Sequence, residues 1–231
     1  MAIPFYLKLL CLKLSYFVFI NTYLKNTFAA KPFTPIFAKI SFVMKLTNRS
    51  IIFTLFLIVL AVATKLIFAS QLVMGGFTPI FAIALFSGMI VKNKNAAFLL
   101  PLIALFVSDV VIEILFRTNN FAFKGFYKGQ IFNYALLLGT ALIGWALRGK
   151  NYASIALGAV AAPTFFFLVS NFTVWLASTI TYSKDVSGLI ACYVAGLPFY
   201  KNEIIATFFF LPVIMFAYNY IVLQKSKLVI A

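Results

Sequence analysis

Residues 51–73 read IIFTLFLIVLAVATKLIFASQLV, a run of 23 residues in which Lys65 is the only ionisable side chain. A bilayer's hydrocarbon core, about 30 Å thick, takes about 20 apolar residues to cross as a helix. This run is long enough. Similar runs recur along the chain. Apolar residues make up 64% of it and charged residues 10%, where a soluble domain carries about 25% charged residues. The chain lacks the polar residues to cover a core in water, so the predicted class is all-α, a polytopic membrane helix bundle.

Six spans are predicted after Met44: residues 51–73, 78–91, 96–116, 130–147, 152–176 and 203–223. The second is short. Pro79 suits a first helical turn, where its missing N–H costs nothing. Pro163 and Pro212 fall inside spans and are expected to kink them. Between the fifth and sixth spans, residues 186–199 (VSGLIACYVAGLPF) are apolar but too few to cross. They are expected to form a separate short segment, either re-entrant or lying at the membrane interface.

The net charge of +15 does not make a nucleic-acid surface, which needs a dense basic stripe. The cations stand singly or in pairs between apolar runs. Lys45 with Arg49, Lys92 with Lys94, Arg148 with Lys150, and Lys225 with Lys227 all fall on one side of the six-span arrangement. No acid accompanies them. The other side carries Arg117, Lys124, Lys128, Lys184 and Lys201 in longer loops, with Asp185 and Glu203. Basic residues close to span ends mark the cytoplasmic side, so both termini are expected in the cytoplasm.

Residues 1–43 differ from the rest, with five Lys and no acid. Their longest uncharged apolar stretch, Leu14 to Leu24, is too short to span. Three readings stand: a basic segment on the membrane surface, a crude signal peptide, or translated upstream sequence with Met44 as the native start. Little order is expected in this extension under any of them.

Counting along the spans places Lys65 and Asp109 at similar depth, each roughly 20 Å from the cytoplasmic end at 1.5 Å per residue. Glu113 lies one turn beyond Asp109 on the same face. Asn133, Asn171 and Trp175 also fall in the outer half, as does Tyr193. Charges inside spans are costly and generally face the bundle interior. Lys65, Asp109, Glu113, Asn133, Asn171, Trp175 and Tyr193 are therefore candidates to line an outward-facing ligand cavity. In the competing reading Lys65 and Asp109 only pin two helices together, and the others serve as interhelical hydrogen bonds and interfacial aromatics. Small-residue spacings at Ala84 and Gly88, Gly139 and Gly144, and Gly158 and Ala162 permit close helix packing, within the bundle or against a partner.

The chain has no His and two distant cysteines, Cys11 and Cys192, so neither a metal site nor a disulfide framework is expected. It contains no phosphate-binding GxxxxGK[ST] loop, no HExxH and no nucleophile elbow. No cofactor is expected, and the protein is not expected to be an enzyme.

The stretches GFTPIFAIALFSG (76–88), FLLPLIALFVSD (98–109), NFTVW (171–175), GLIACY (188–193) and LPF (197–199) resemble a family of uncharacterised bacterial six-helix membrane proteins common in Bacteroidota. The wider architecture is similar to the substrate-binding S components of energy-coupling factor transporters. That resemblance implies six helices with cytoplasmic termini, a vitamin-like solute bound near the outer face, and residence in a bacterial inner membrane. It also implies partners: a coupling transmembrane subunit and two ATPases. The AxxxA docking motif of those components is not found between Ile51 and Val73. Besides solute import, two other functions are open: a ligand-free structural or assembly protein, and a small intramembrane enzyme.

Overall fold

The computed structural model describes residues 48–68, 72–91, 94–127, 129–149, 151–178 and 180–224. The extension at 1–43, and Cys11 within it, lie outside the described residues, as do Lys45, Lys92, Lys128, Lys150, Lys225 and Lys227. Among the described residues there are six α-helices and no strand. They are α1 (Asn48–Phe68), α2 (Ile80–Ile90), α3 (Lys94–Arg117), α4 (Gln130–Ala146), α5 (Tyr152–Ala177) and α6 (Val186–Ile221), with a 3-10 turn at Leu72–Met74.

Four of these, α1, α3, α5 and α6, are long and apolar enough to cross a membrane. Their outward residues are apolar too: Val59 is 64% exposed, Leu157 66% and Phe209 59%. Apolar exposure on this scale is stable against lipid and would aggregate in water. The chain is a membrane protein.

Every residue of α2 is buried. A helix that is apolar all round belongs in the interior, and α3, α4, α5 and α6 all pack on α2. At 11 residues it is about 16 Å long. Protein rather than lipid surrounds it, so the backbone groups at its buried ends need partners within the protein. Pro79 is its N-cap, and the Pro79 carbonyl accepts from Ile83 N at 2.8 Å. At the other end the Arg148 guanidinium donates to the carbonyls of Gly88 (2.8 Å), Met89 (3.2 Å) and Val91 (2.6 Å). A cation there satisfies the last carbonyls and opposes the helix dipole. Ser87 Oγ donates to Ala97 O at 2.7 Å and ties α2 to the start of α3.

The small-residue spacings serve internal packing. A Cβ added at Gly88 would lie 2.1 Å from Ala141 O, and one at Gly144 would lie 2.3 Å from Leu85 O. The backbones of α2 and α4 thus approach with no room for a side chain.

One boundary differs from the sequence expectation. The separate segment expected at 186–199 is the first part of a single helix that runs to Ile221. Its 36 residues span about 54 Å, more than the hydrocarbon thickness. The polar triplet Lys201-Asn202-Glu203 reads as a break but is none. Successive residues point about 100° apart on a helix, so each meets a different environment. Lys201 is exposed. Asn202 Nδ2 donates to Val73 O and Gly75 O, both at 2.8 Å. Glu203 faces a cavity. Pro198 and Pro212 lie within α6 and Pro163 within α5, and both helices continue through them. Asp185 caps the start of α6, its carboxylate accepting from Ser183 Oγ, Ser187 Oγ and Gly188 N. These bonds, that from Ser183 foremost, hold its pKa down to about 2.

The close approach of α2 and α4 gives a direct test. Gly88→Ala drives a methyl into backbone and is expected to cost about 3 kcal/mol. Gly139→Ala meets only the Phe165 ring, at 2.5 Å, which can turn aside, and is expected to cost less. Thermal unfolding in detergent compares the two, and equal losses would show that α2 and α4 are not in backbone contact.

Candidate functional site

Asp109 is 4% exposed and carries an ion pair between two helices. Its Oδ1 accepts from Lys65 Nζ on α1. Its Oδ2 accepts from Gln130 Nε2 and, at 2.6 Å, from the Tyr134 hydroxyl, both on α4. Gln130 Nε2 also reaches Tyr134 Oη at 3.0 Å. One carboxylate therefore ties α1, α3 and α4 together. The arrangement answers the main electrostatic problem of the bundle, since a buried carboxylate is stable only when paired and hydrogen-bonded.

The loop between α3 and α4 folds back over this cluster. Glu113 accepts from Gly125 N (3.2 Å) and Phe126 N (3.3 Å), while its other oxygen takes Arg117 Nε at 2.7 Å. Gly125 is pressed onto α3 so closely that a Cβ there would lie 2.0 Å from Asp109 O. Two residues on, Tyr127 N donates to Gln130 Oε1 at 3.1 Å. The Tyr127 hydroxyl accepts from Asn133 Nδ2 at 2.7 Å.

Beside the cluster is a cavity of about 280 Å³. Lys65, Thr78, Asp109, Tyr127, Gln130, Asn133, Tyr134 and Glu203 supply its polar lining, and Phe81, Leu105, Leu137 and Phe166 supply apolar walls. A second lobe of about 300 Å³ shares Lys65, Gly76, Thr78, Asp109 and Tyr127 with the first and lies under Phe121, Phe123 and Lys124 of the loop.

Of the seven residues singled out from the sequence, Lys65, Asp109 and Asn133 line this cavity. Glu113 holds the loop above it. Asn171, Trp175 and Tyr193 do not line it; they join α5 to α6 and to the turn between them. Asn171 Nδ2 donates to Phe167 O at 2.9 Å and lies against Gly196. Trp175 Nε1 donates to Ser183 O at 2.8 Å, with Lys184 Nζ 5.4 Å from its ring. Tyr193 Oη donates to Leu168 O at 2.8 Å, and its ring packs edge-on against Phe167. Depth along a helix says nothing about azimuth, and these three face another seam. Gln130, Tyr134 and Glu203 were not singled out. The signal available was their position in otherwise apolar helices, where a polar side chain implies a partner or a cavity.

The ion pair should behave as a unit. Lys65→Met strands a buried carboxylate and is expected to cost about 3 kcal/mol. Adding Asp109→Asn removes the stranded charge, and the double variant is expected to recover most of that loss. Unfolding of the four members of the cycle checks this. Additive losses would mean the two side chains do not interact.

Residues 45–229 match the family of unknown function DUF6580, and the chain belongs to that family. Neither the curated proteins nor the solved structures contain a match to it.

Proposed function

We propose that this DUF6580 member is a solute-binding subunit of an import system, resembling an energy-coupling factor S component. The observation that carries this reading is the cavity beside the Asp109 cluster. A pair that served only to pin helices would be covered by packed side chains. Here Lys65 and Asp109 form part of a cavity wall that also presents two amides, two phenols and a second carboxyl group. Small-molecule sites combine mostly apolar walls with a few placed polar groups in this way.

The cavity lies at the end of the bundle formed by the C-terminal turns of α1 and α3 and the first turn of α4. Arg49, the 91–94 connection and Arg148 lie at the opposite helix ends. With basic ends in the cytoplasm, the cavity faces outward. In this reading all six helices belong to the membrane domain, with the short α2 enclosed by the others, and the host membrane is a bacterial inner membrane. Binding and helix movement carry the function, with no bond made or broken. A coupling membrane subunit and ATPases would supply the energy.

Native mass spectrometry of the protein, purified gently from its host membrane, tests this. A retained small molecule, lost in Asn133→Leu, is the expected result. Bare polypeptide that stays monomeric and retains no solute in repeated preparations would favour a ligand-free structural role.

A further inference from the structure

Glu203 differs from the other acids of the described residues. Asp109 and Glu113 are each held by a cation and by further donors, and Asp185 caps a helix. The Glu203 carboxylate lines the cavity with no cation within ion-pair distance and no hydrogen-bond donor among the described residues. Its place is built. Gly76, at φ +86°, brings the 72–79 connection so close that a Cβ there would lie 2.9 Å from Phe199 O and 3.3 Å from Glu203 Cγ. Asn202 holds the same connection by its two bonds to Val73 and Gly75.

The charges around the cavity can be summed. Lys65 and Asp109 cancel. Lys124 lines only the adjoining lobe, with its ammonium 5.8 Å from the centre of the Phe116 ring. Glu203 gives the first lobe one carboxyl group that no described cation pairs, and a solute cation would supply that pair. Among the described residues, no cation lining that lobe is free to receive an anionic solute. A hard metal ion would want about six oxygens, and those of Asp109 are already engaged. A monocation with an apolar body fits instead. Phe81 and Phe166 meet edge-to-face at 5.0 Å on the cavity wall, and aromatic faces attract cations. The volume is at the small end of ligand pockets, which run about 300–1,000 Å³.

Resting on the solute-binding reading, we propose that the solute is a small organic amine, bound as a monocation with its ammonium on the Glu203 carboxylate and its body against Phe81, Phe166 and Leu137. The Asn133 amide, which uses one N–H on Tyr127, lines the same lobe and can take a polar group at its far end.

Calorimetry on the full chain in nanodiscs tests this with three probes of similar shape: phenethylamine, 3-phenylpropanoate and 2-phenylethanol. The amine is expected to bind best. Glu203→Gln, nearly the same shape but uncharged, is expected to weaken amine binding about tenfold to a hundredfold and to leave the alcohol unchanged. Glu203→Asp keeps the charge and is expected to retain part of the affinity, which separates lost charge from lost folding. Preference for the carboxylate, amine binding indifferent to Glu203→Gln, or binding of none of the probes would each overturn the amine assignment. The mass of a copurified solute decides the broader reading independently: an anionic or neutral solute would uphold solute binding while refuting the amine.

Discussion

The bundle depends on how one buried carboxylate is satisfied. Asp109 lies on a helix apolar enough to cross a membrane, where an unpaired charge would be costly. Lys65 supplies the counter-charge from α1, and Gln130 and Tyr134 supply donors from the first turns of α4. Three helices are held in register by the need to satisfy one group. The same need fixes the following loop, because Gln130 also receives Tyr127 N and Gly125 lies directly on the Asp109 backbone. The cavity exists where this polar cluster prevents the helices from closing on apolar contacts alone.

The second constraint is α2. A short helix with no exposed residue has no lipid face of its own. Its C-terminal carbonyls are taken by Arg148, and its close approach to α4 depends on Gly88 and Gly144. The basic residue that the sequence marks as an orienting charge is also a helix cap. Asn202 and the close approach of Gly76 hold α6 against the connection at 72–79, next to Glu203.

Much of the fold was legible because length and hydropathy are one-dimensional properties. The positions of α1 to α5 follow from long, mostly apolar runs, and counting residues put Lys65 and Asp109 at a common depth. The errors arose where direction around the helix axis mattered. Lys201, Asn202 and Glu203 looked like a boundary because three polar residues in a row suggest a loop, yet each meets a suitable neighbour on a different side of α6. Asn171, Trp175 and Tyr193 were grouped with the cavity by depth, and their azimuth turns them to the seam between α5 and α6. Gln130 and Tyr134 were visible as polar residues opening α4, but that they converge on Asp109 follows only from tertiary packing.

The central claim is that the Asp109 cluster forms the wall of a water-accessible cavity facing outward, and is more than a pin between helices. The most direct measurement is the rate at which a charged, membrane-impermeant thiol reagent modifies Asn133→Cys in intact cells, with Cys11 and Cys192 replaced by alanine. The account predicts modification from outside, slowed by a bound solute. Absence of modification in cells where the protein is folded and inserted, or modification only from the cytoplasmic side in inverted vesicles, would contradict it.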